Sequence, residues 1–187
     1  MTDAAGRLAT LELRCTTEDA LAFFDTLPTV AADAIRGRWA GRELRTGHPW
    51  DGLLTASGWY GKQFDNAEAV HPLLFRTPSG RLFPVDPGRL PLSLAHRVPV
   101  TAVSAARRCL DLAVPLLRAR APKARLRNVE HRNTITAAMI YDQLSIIDVF
   151  RRVDDVTLLG LMDMRGVPLP YFFVLVRSGS PRPAPGR

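Results

Sequence analysis

ARLRNVEHRNTITAAMIYD, residues 124–142, decides the fold class. Ile135, Ala137, Met139 and Tyr141 alternate with Thr134, Thr136, Ala138 and Ile140. That is the period of two a strand imposes, because successive side chains point to opposite faces. ARLRNVEH before it reads as a second strand, and Arg132–Asn133 between them as a tight turn. Further along, SIIDVFRRVDD (145–155) reads as a short helix or turn, and VTLLGLMDM (156–164) as a strand. RGVPLP turns the chain, and YFFVLVR (171–177) forms the last strand. From Ser178 the tail is Pro, Gly, Ser and Arg, a composition expected to stay disordered.

Upstream the pattern is more helical. CTTEDALAFFDTLP (15–28) predicts a helix capped by Thr16 or Thr17, with Glu18 and Asp19 in its first turn. Ala20, Phe23, Phe24 and Leu27 share one face, and Pro28 stops the run. A second short helix over Val30–Ile35 would complete a helical hairpin covering another layer. Leu53–Ser57 offers one or two helical turns. WYGKQF (59–64), AVHPLLF (69–75) and RLFPV (81–85) then read as strands, the last two joined by the TPSG turn. The proline-rich DPGRLPLSLAHRVPV (86–100) is a connector. TAVSAARRCLDLAVPLLRAR (101–120) predicts one amphipathic helix with Val103, Ala106, Leu110, Ala113 and Leu117 on one side, kinked or ended by Pro115. Sequential strands, tight turns and a helical cover give an α+β chain built on an antiparallel sheet. That sheet would be either closed into a small barrel or open against the helices.

With 187 residues, 47% of them hydrophobic, residues 1–177 fit a single globular unit. No apolar run approaches the roughly 18 residues of a membrane span. The polar, acid-bearing start is unlike a signal peptide, so the expected location is cytoplasmic. Cys15 and Cys109 share no metal-ligand spacing and are expected to be reduced. The net charge of +7 is uneven. Up to Val70 there are seven basic and ten acidic residues, which leaves +10 on the remainder. Arg107, Arg108, Arg118, Arg120, Lys123, Arg125 and Arg127 face only Asp111 in that stretch. No aromatic residue is interleaved among them, so base stacking has no platform and the nucleic-acid signal is weak. Contact of residues 104–127 with an anionic membrane surface is compatible with the charge, as is a plain solvated face.

Two short stretches stand out: GRWAG (37–41) and GWYG (58–61), which hold two of the three Trp. GRWAGRELRTGHPWDGLL, GWYGKQF and VHPLLF, with MIYDQ and DVFRRVDD further on, resemble the bacterial GXWXG-domain family and its C-terminal domain of unknown function. The likeness covers about residues 30–76 and 124–176. It implies a compact β-rich module, and a Gly-x-Trp of this kind is also similar to calycin and lipocalin barrels. What the resemblance implies is therefore a calycin-like small barrel covered by N-terminal and central helices. In such barrels the comparable Trp plugs one end and packs against an Arg.

A barrel with apolar residues on both faces of its last strands would hold a small apolar or amphipathic molecule. The expected lining is Trp39, Trp59, Tyr60, Lys62, Met139, Tyr141 and Phe173, with Trp39 either packing or touching ligand. Strand geometry sends Trp59 and Tyr60 to opposite faces, and Trp50 reads as a loop or rim residue. The polar candidates are His71, Tyr141, Asp142, Asp148, Asp154, Asp155 and Asp163, with Lys62. Asp142, Asp163 and His71 are the candidates for catalysis. The two carboxylates equally suit ion pairs with Arg, and His71 could act as base, haem ligand or hydrogen-bonded core residue. Motifs for nucleophilic, metal or phosphate chemistry are missing, so no cofactor or metal is expected beyond that one haem option. A cofactor-free isomerase, cyclase, lyase or hydrolase acting on a hydrophobic metabolite is the alternative to a binding protein.

Overall fold

A computed structural model describes residues 4–90 and 98–179. The elements run α1 (Ala4–Leu13), α2 (Thr17–Thr26), β1 (Gly37–Glu43), α3 (Leu53–Ser57), β2 (Trp59–Asn66), β3 (Ala69–Arg76) and β4 (Leu82–Pro84). They continue α4 (Val100–Arg107), α5 (Leu110–Leu117), β5 (Ala124–His131), β6 (Thr134–Tyr141), β7 (Ile146–Arg152), β8 (Thr157–Met164) and β9 (Tyr171–Arg177). All strand pairings are antiparallel, in the order β2-β1-β9-β8-β7-β6-β5-β3-β4, and β2 also pairs with β3. Eight strands therefore follow one another round a ring, with β4 attached to β3. The chain is α+β with a large antiparallel sheet. The seam between β3 and β5 is the thinnest, with one register pair, Val70 with Ala124. Lys123 N–H to the Val70 carbonyl (2.9 Å) and Leu126 N–H to that of Ala67 (2.8 Å) reinforce it.

Two apolar clusters divide the faces of this sheet. The inner one holds Trp39, Trp59, Phe64, Leu126, Met139, Phe150, Phe173 and Leu175, joined by Leu110 and Val114 of α5. The outer one sets Leu8, Ala20, Phe23, Phe24 and Leu27 of the helical hairpin against Ala138, Val149, Leu159, Leu161, Phe172 and Val174. Because β6 to β9 are covered on both faces, they read as nearly continuous apolar runs. α2 starts on a capping box: the Thr16 hydroxyl accepts from Asp19 N–H at 3.1 Å, and the Asp19 carboxylate from Thr16 N–H at 2.8 Å. Arg132 and Asn133 hold φ of +51° and +58°, the tight hairpin turn that the sequence places there.

Several expectations give way. SIIDVFRRVDD is strand β7, neither helix nor turn, because its apolar residues serve both sheet faces at once. The hairpin partner of α2 is α1, and Val30–Ile35 forms only a 3-10 turn over Ala32–Ala34. The single amphipathic helix of 101–120 breaks at Arg108–Cys109, which resets its phase. The buried residues are then Leu110 and Val114, while Ala106 is exposed, and Pro115 lies inside α5 two residues before its end. GRWAG is itself a strand. Residues 91–97 of the connector lie outside the described residues, as do 180–187 of the tail expected to be disordered from Ser178. Ser178 and Gly179 instead form a turn, with Ser178 N–H donating to the Arg38 carbonyl at 2.8 Å.

Candidate functional site

GRWAG and GWYG are neighbours on β1 and β2, with Ala40 opposite Gly61 and Trp39 opposite Lys62. Each glycine makes room for the other motif. A Cβ on Gly41 would fall 2.1 Å from the Trp59 ring, and one on Gly61 would fall 2.0 Å from the Trp39 carbonyl oxygen. Trp39 is buried, donates its indole N–H to the Arg36 carbonyl (3.1 Å) and carries the Arg177 guanidinium 4.9 Å over its ring. Of its two sequence roles, these are the contacts of a packing residue.

Trp59 points inward and Tyr60 outward. The Tyr60 hydroxyl is 2.9 Å from Ser178 Oγ, and Arg76 stacks 4.8 Å over its ring. Two residues further, past Gly61, Lys62 turns inward and is 2% exposed. Its ammonium donates to Asp148 Oδ2 at 2.7 Å and to the Pro72 carbonyl at 3.2 Å. Phe173, Trp59 and Tyr141 surround the same nitrogen at 4.8, 5.8 and 5.8 Å from their ring centres. Asp148, 1% exposed, lies opposite Met139 in the β6–β7 register, so both project into the ring. Phe173 gains its space from Gly160 across β8, where a Cβ would fall 2.3 Å from the ring.

Burial governs the electrostatics here. It pushes the Lys62 ammonium below its ordinary pKa, opposed by Asp148, and it pushes the Asp148 carboxyl up, opposed by Lys62 and Tyr141. The Tyr141 phenol is driven well up by burial and by Asp148, so it stays protonated and able to donate. Two polar atoms in this interior lack a well-formed hydrogen bond: Asp148 Oδ1 and Trp59 Nε1. One accepts and the other donates.

Six of the seven expected lining residues, Trp39, Trp59, Lys62, Met139, Tyr141 and Phe173, thus lie inside the ring, with Tyr60 on the far side of β2. The catalytic candidates do not assemble. Asp142 pairs with Arg125 at the surface (3.0 Å), and Asp163 is exposed. His71 is half-buried with Nε2 3.9 Å from Asp65, and burial lowers its pKa. Asp154 caps its own turn by accepting from Val156 N–H, and Asp155 is exposed. Asp148, one polar candidate among several, is the carboxylate the interior is built around. Its signal was an acid inside an apolar run, which has no distinctive spacing. Trp50 is a loop residue but a buried one, packed with His48 and Tyr171. Among the described residues no three His, Cys, Asp or Glu side chains gather as a metal site, and both cysteines are free.

Beside Trp59, a cleft of about 330 Å³ opens to solvent between β1, β2, β3, α3 and α4. Trp59 and Tyr60 line it together with Arg42, Glu43, Arg76 and Arg107. Nothing in the sequence brings those four together, since they come from separated segments. Glu43 is occupied by Gly52 N–H (2.7 Å) and Thr55 N–H (2.9 Å), which ties α3 to β1.

A ring of antiparallel strands with a buried Lys–Asp pair, flanked by helices, is the class of protein that the geometry defines. The family is more particular. The GXWXG protein family matches residues 22–80, and a domain of unknown function (DUF4334) matches residues 122–177. The chain belongs to this GXWXG family with its C-terminal domain of unknown function. It is similar to a protein from Thermomonospora curvata whose crystal structure is known, with 32% identity and a TM-score of 0.69. That match covers 94% of this chain and 99% of the other. No curated protein matches the chain.

Proposed function

We propose that this protein holds a small apolar or amphipathic molecule, with the strand ring acting as a calycin-like small barrel. One observation carries the reading. The interior gathers three aromatic rings round Lys62, and Asp148 Oδ1 and Trp59 Nε1 there lack a well-formed hydrogen bond, with Tyr141 within reach of the carboxylate. Buried polar atoms are normally satisfied, so two such atoms beside Lys62 support a polar contact from a bound molecule. Trp59 also lines the open cleft, so its ring borders both the cleft and the buried Lys62. No described helix is long and apolar enough to cross a membrane, and both cysteines are free, which supports a place in the cytoplasm. Native mass spectrometry of freshly purified protein is the test. A retained small molecule, lost in Asp148→Asn at unchanged circular dichroism, is expected. Apo protein whose tryptophan fluorescence ignores a panel of amphipathic compounds would overturn the reading.

A second reading has its own observation. Lys62, Asp148 and Tyr141 are three titratable groups in mutual reach inside an apolar shell, with their pKa values displaced. Such a set can move a proton on a hydrophobic metabolite without a cofactor, and it replaces Asp142, Asp163 and His71 as the catalytic candidates. Product formation from a bound metabolite, abolished in Lys62→Met, separates catalysis from binding alone.

A further inference from the structure

We infer that the cleft beside Trp59 is an oxyanion site, so that the ligand proposed above carries a carboxylate or phosphate end. The inference rests on that reading for the ligand's body, while the anion site itself stands on separate observations. Two guanidinium groups reach the cleft from different elements, Arg76 from β3 and Arg107 from α4. Each is positioned. Arg76 holds its guanidinium carbon 4.8 Å over the Tyr60 ring, and the Tyr60 hydroxyl is held by Ser178. Arg107 packs over Gly58, where a Cβ would fall 2.9 Å from its Nε and 2.9 Å from the Arg76 carbonyl. Gly58 also has a φ of +83°, so backbone conformation and the nearby arginine both favour glycine there.

The charges around these two arginines are unbalanced. Among the described residues neither one forms an ion pair with a carboxylate. Arg42, the third guanidinium of the cleft, is engaged by Glu12 at 2.5 Å. Glu43, the acid of the cleft, is spent on the α3 backbone. Two planar forks in one concavity, neither paired with its acid Glu43, suit a carboxylate or phosphate, which accept paired N–H bonds. The Trp59 wall would then receive the apolar body of the same molecule.

The probes are octanoate, octyl phosphate, neutral octanol and inorganic phosphate, followed by tryptophan fluorescence and by the side-chain Nε–H signals of Arg76 and Arg107 in NMR. Octanoate and octyl phosphate are expected to bind at least about tenfold more tightly than octanol, the worth of one charged hydrogen bond. The double variant Arg76→Gln/Arg107→Gln should erase that preference and leave octanol binding as it was. Inorganic phosphate alone should shift both arginine signals, while Arg125, outside the cleft, serves as the unshifted control. If octanol binds as well as octanoate and phosphate moves neither signal, the oxyanion site is wrong and the ligand-binding reading survives. If phosphate shifts both signals but no alkyl compound binds, the anion site stands and the reading of an apolar ligand falls.

Discussion

Gly41 and Gly61 show how tightly the two Trp motifs depend on each other. At Gly41 an added methyl meets the far edge of the Trp59 ring, a side chain that can shift. Gly41→Ala should therefore cost about 1–3 kcal/mol, the range for overpacking. At Gly61 the methyl meets the Trp39 backbone, and the φ of +144° is a second obstacle, so Gly61→Ala should cost more than Gly41→Ala or prevent folding. Gly47, with φ +84° and open space around it, is the control, expected to lose only about 1–2 kcal/mol. Urea unfolding ranks the three, and equal losses would refute the interlock. The sequence displays both motifs plainly. It does not display that each tryptophan leans on the other motif's glycine, because that depends on the β1–β2 register.

The Lys62–Asp148 pair belongs to the same scale. Lys62→Met leaves a carboxylate in an apolar interior and should cost about 3–5 kcal/mol. Lys62→Met combined with Asp148→Leu removes the stranded charge and should recover most of that loss. A double variant no more stable than the worse single variant would show that the pair is not the coupled unit described. Lys62 was visible as one of only two lysines in the chain. Its partner was not, since 86 residues separate them.

Among the elements, those with local punctuation were legible and those fixed by packing were not. The β5–β6 hairpin follows from alternation and a two-residue turn, and α2 from its cap and Pro28. β7 lacked such marks, because the outer helices and the ring interior both demand apolar residues from it. The break between α4 and α5 has no glycine or proline to announce it. The hairpin turn gives a direct test. Asn133→Val places a β-branched residue at a φ of +58° and should cost about 1–2 kcal/mol, whereas Asn133→Gly should be neutral or stabilising. Thermal unfolding of the two variants decides it: loss in both would mean that the Asn133 side chain, and not the backbone, matters there.

At the scale of the molecule, the two-sided apolar strands are explained by a ring interior on one face and the α1–α2 hairpin on the other. Enclosure of this kind also shapes the response to acid. His48, His71 and His131 are each held below the ordinary value of 6.5, chiefly by burial. Below that value the unfolded chain takes up protons that the folded chain refuses, so stability falls as pH drops from about 6.5 towards the folded pKa values. A second group follows lower down. Asp25 is held below 3.8 by its hydrogen bond with Arg132, and Asp86 by Lys123 and Gly88 against the opposing effect of burial. Their contribution is complete above that ordinary value and is lost as pH falls through the lowered ones. Urea unfolding at intervals from pH 8 to pH 3 should therefore show a plateau, a decline beginning near pH 6.5 and a steeper loss below about pH 4. Replacing His48 and His131 with Gln should flatten the first decline and leave the second. Stability that rises between pH 7 and pH 5 in the parent chain but not in that double variant would mean that these imidazoles are charged in the fold, whereas a rise common to both would belong to Asp148, whose carboxyl burial pushes up.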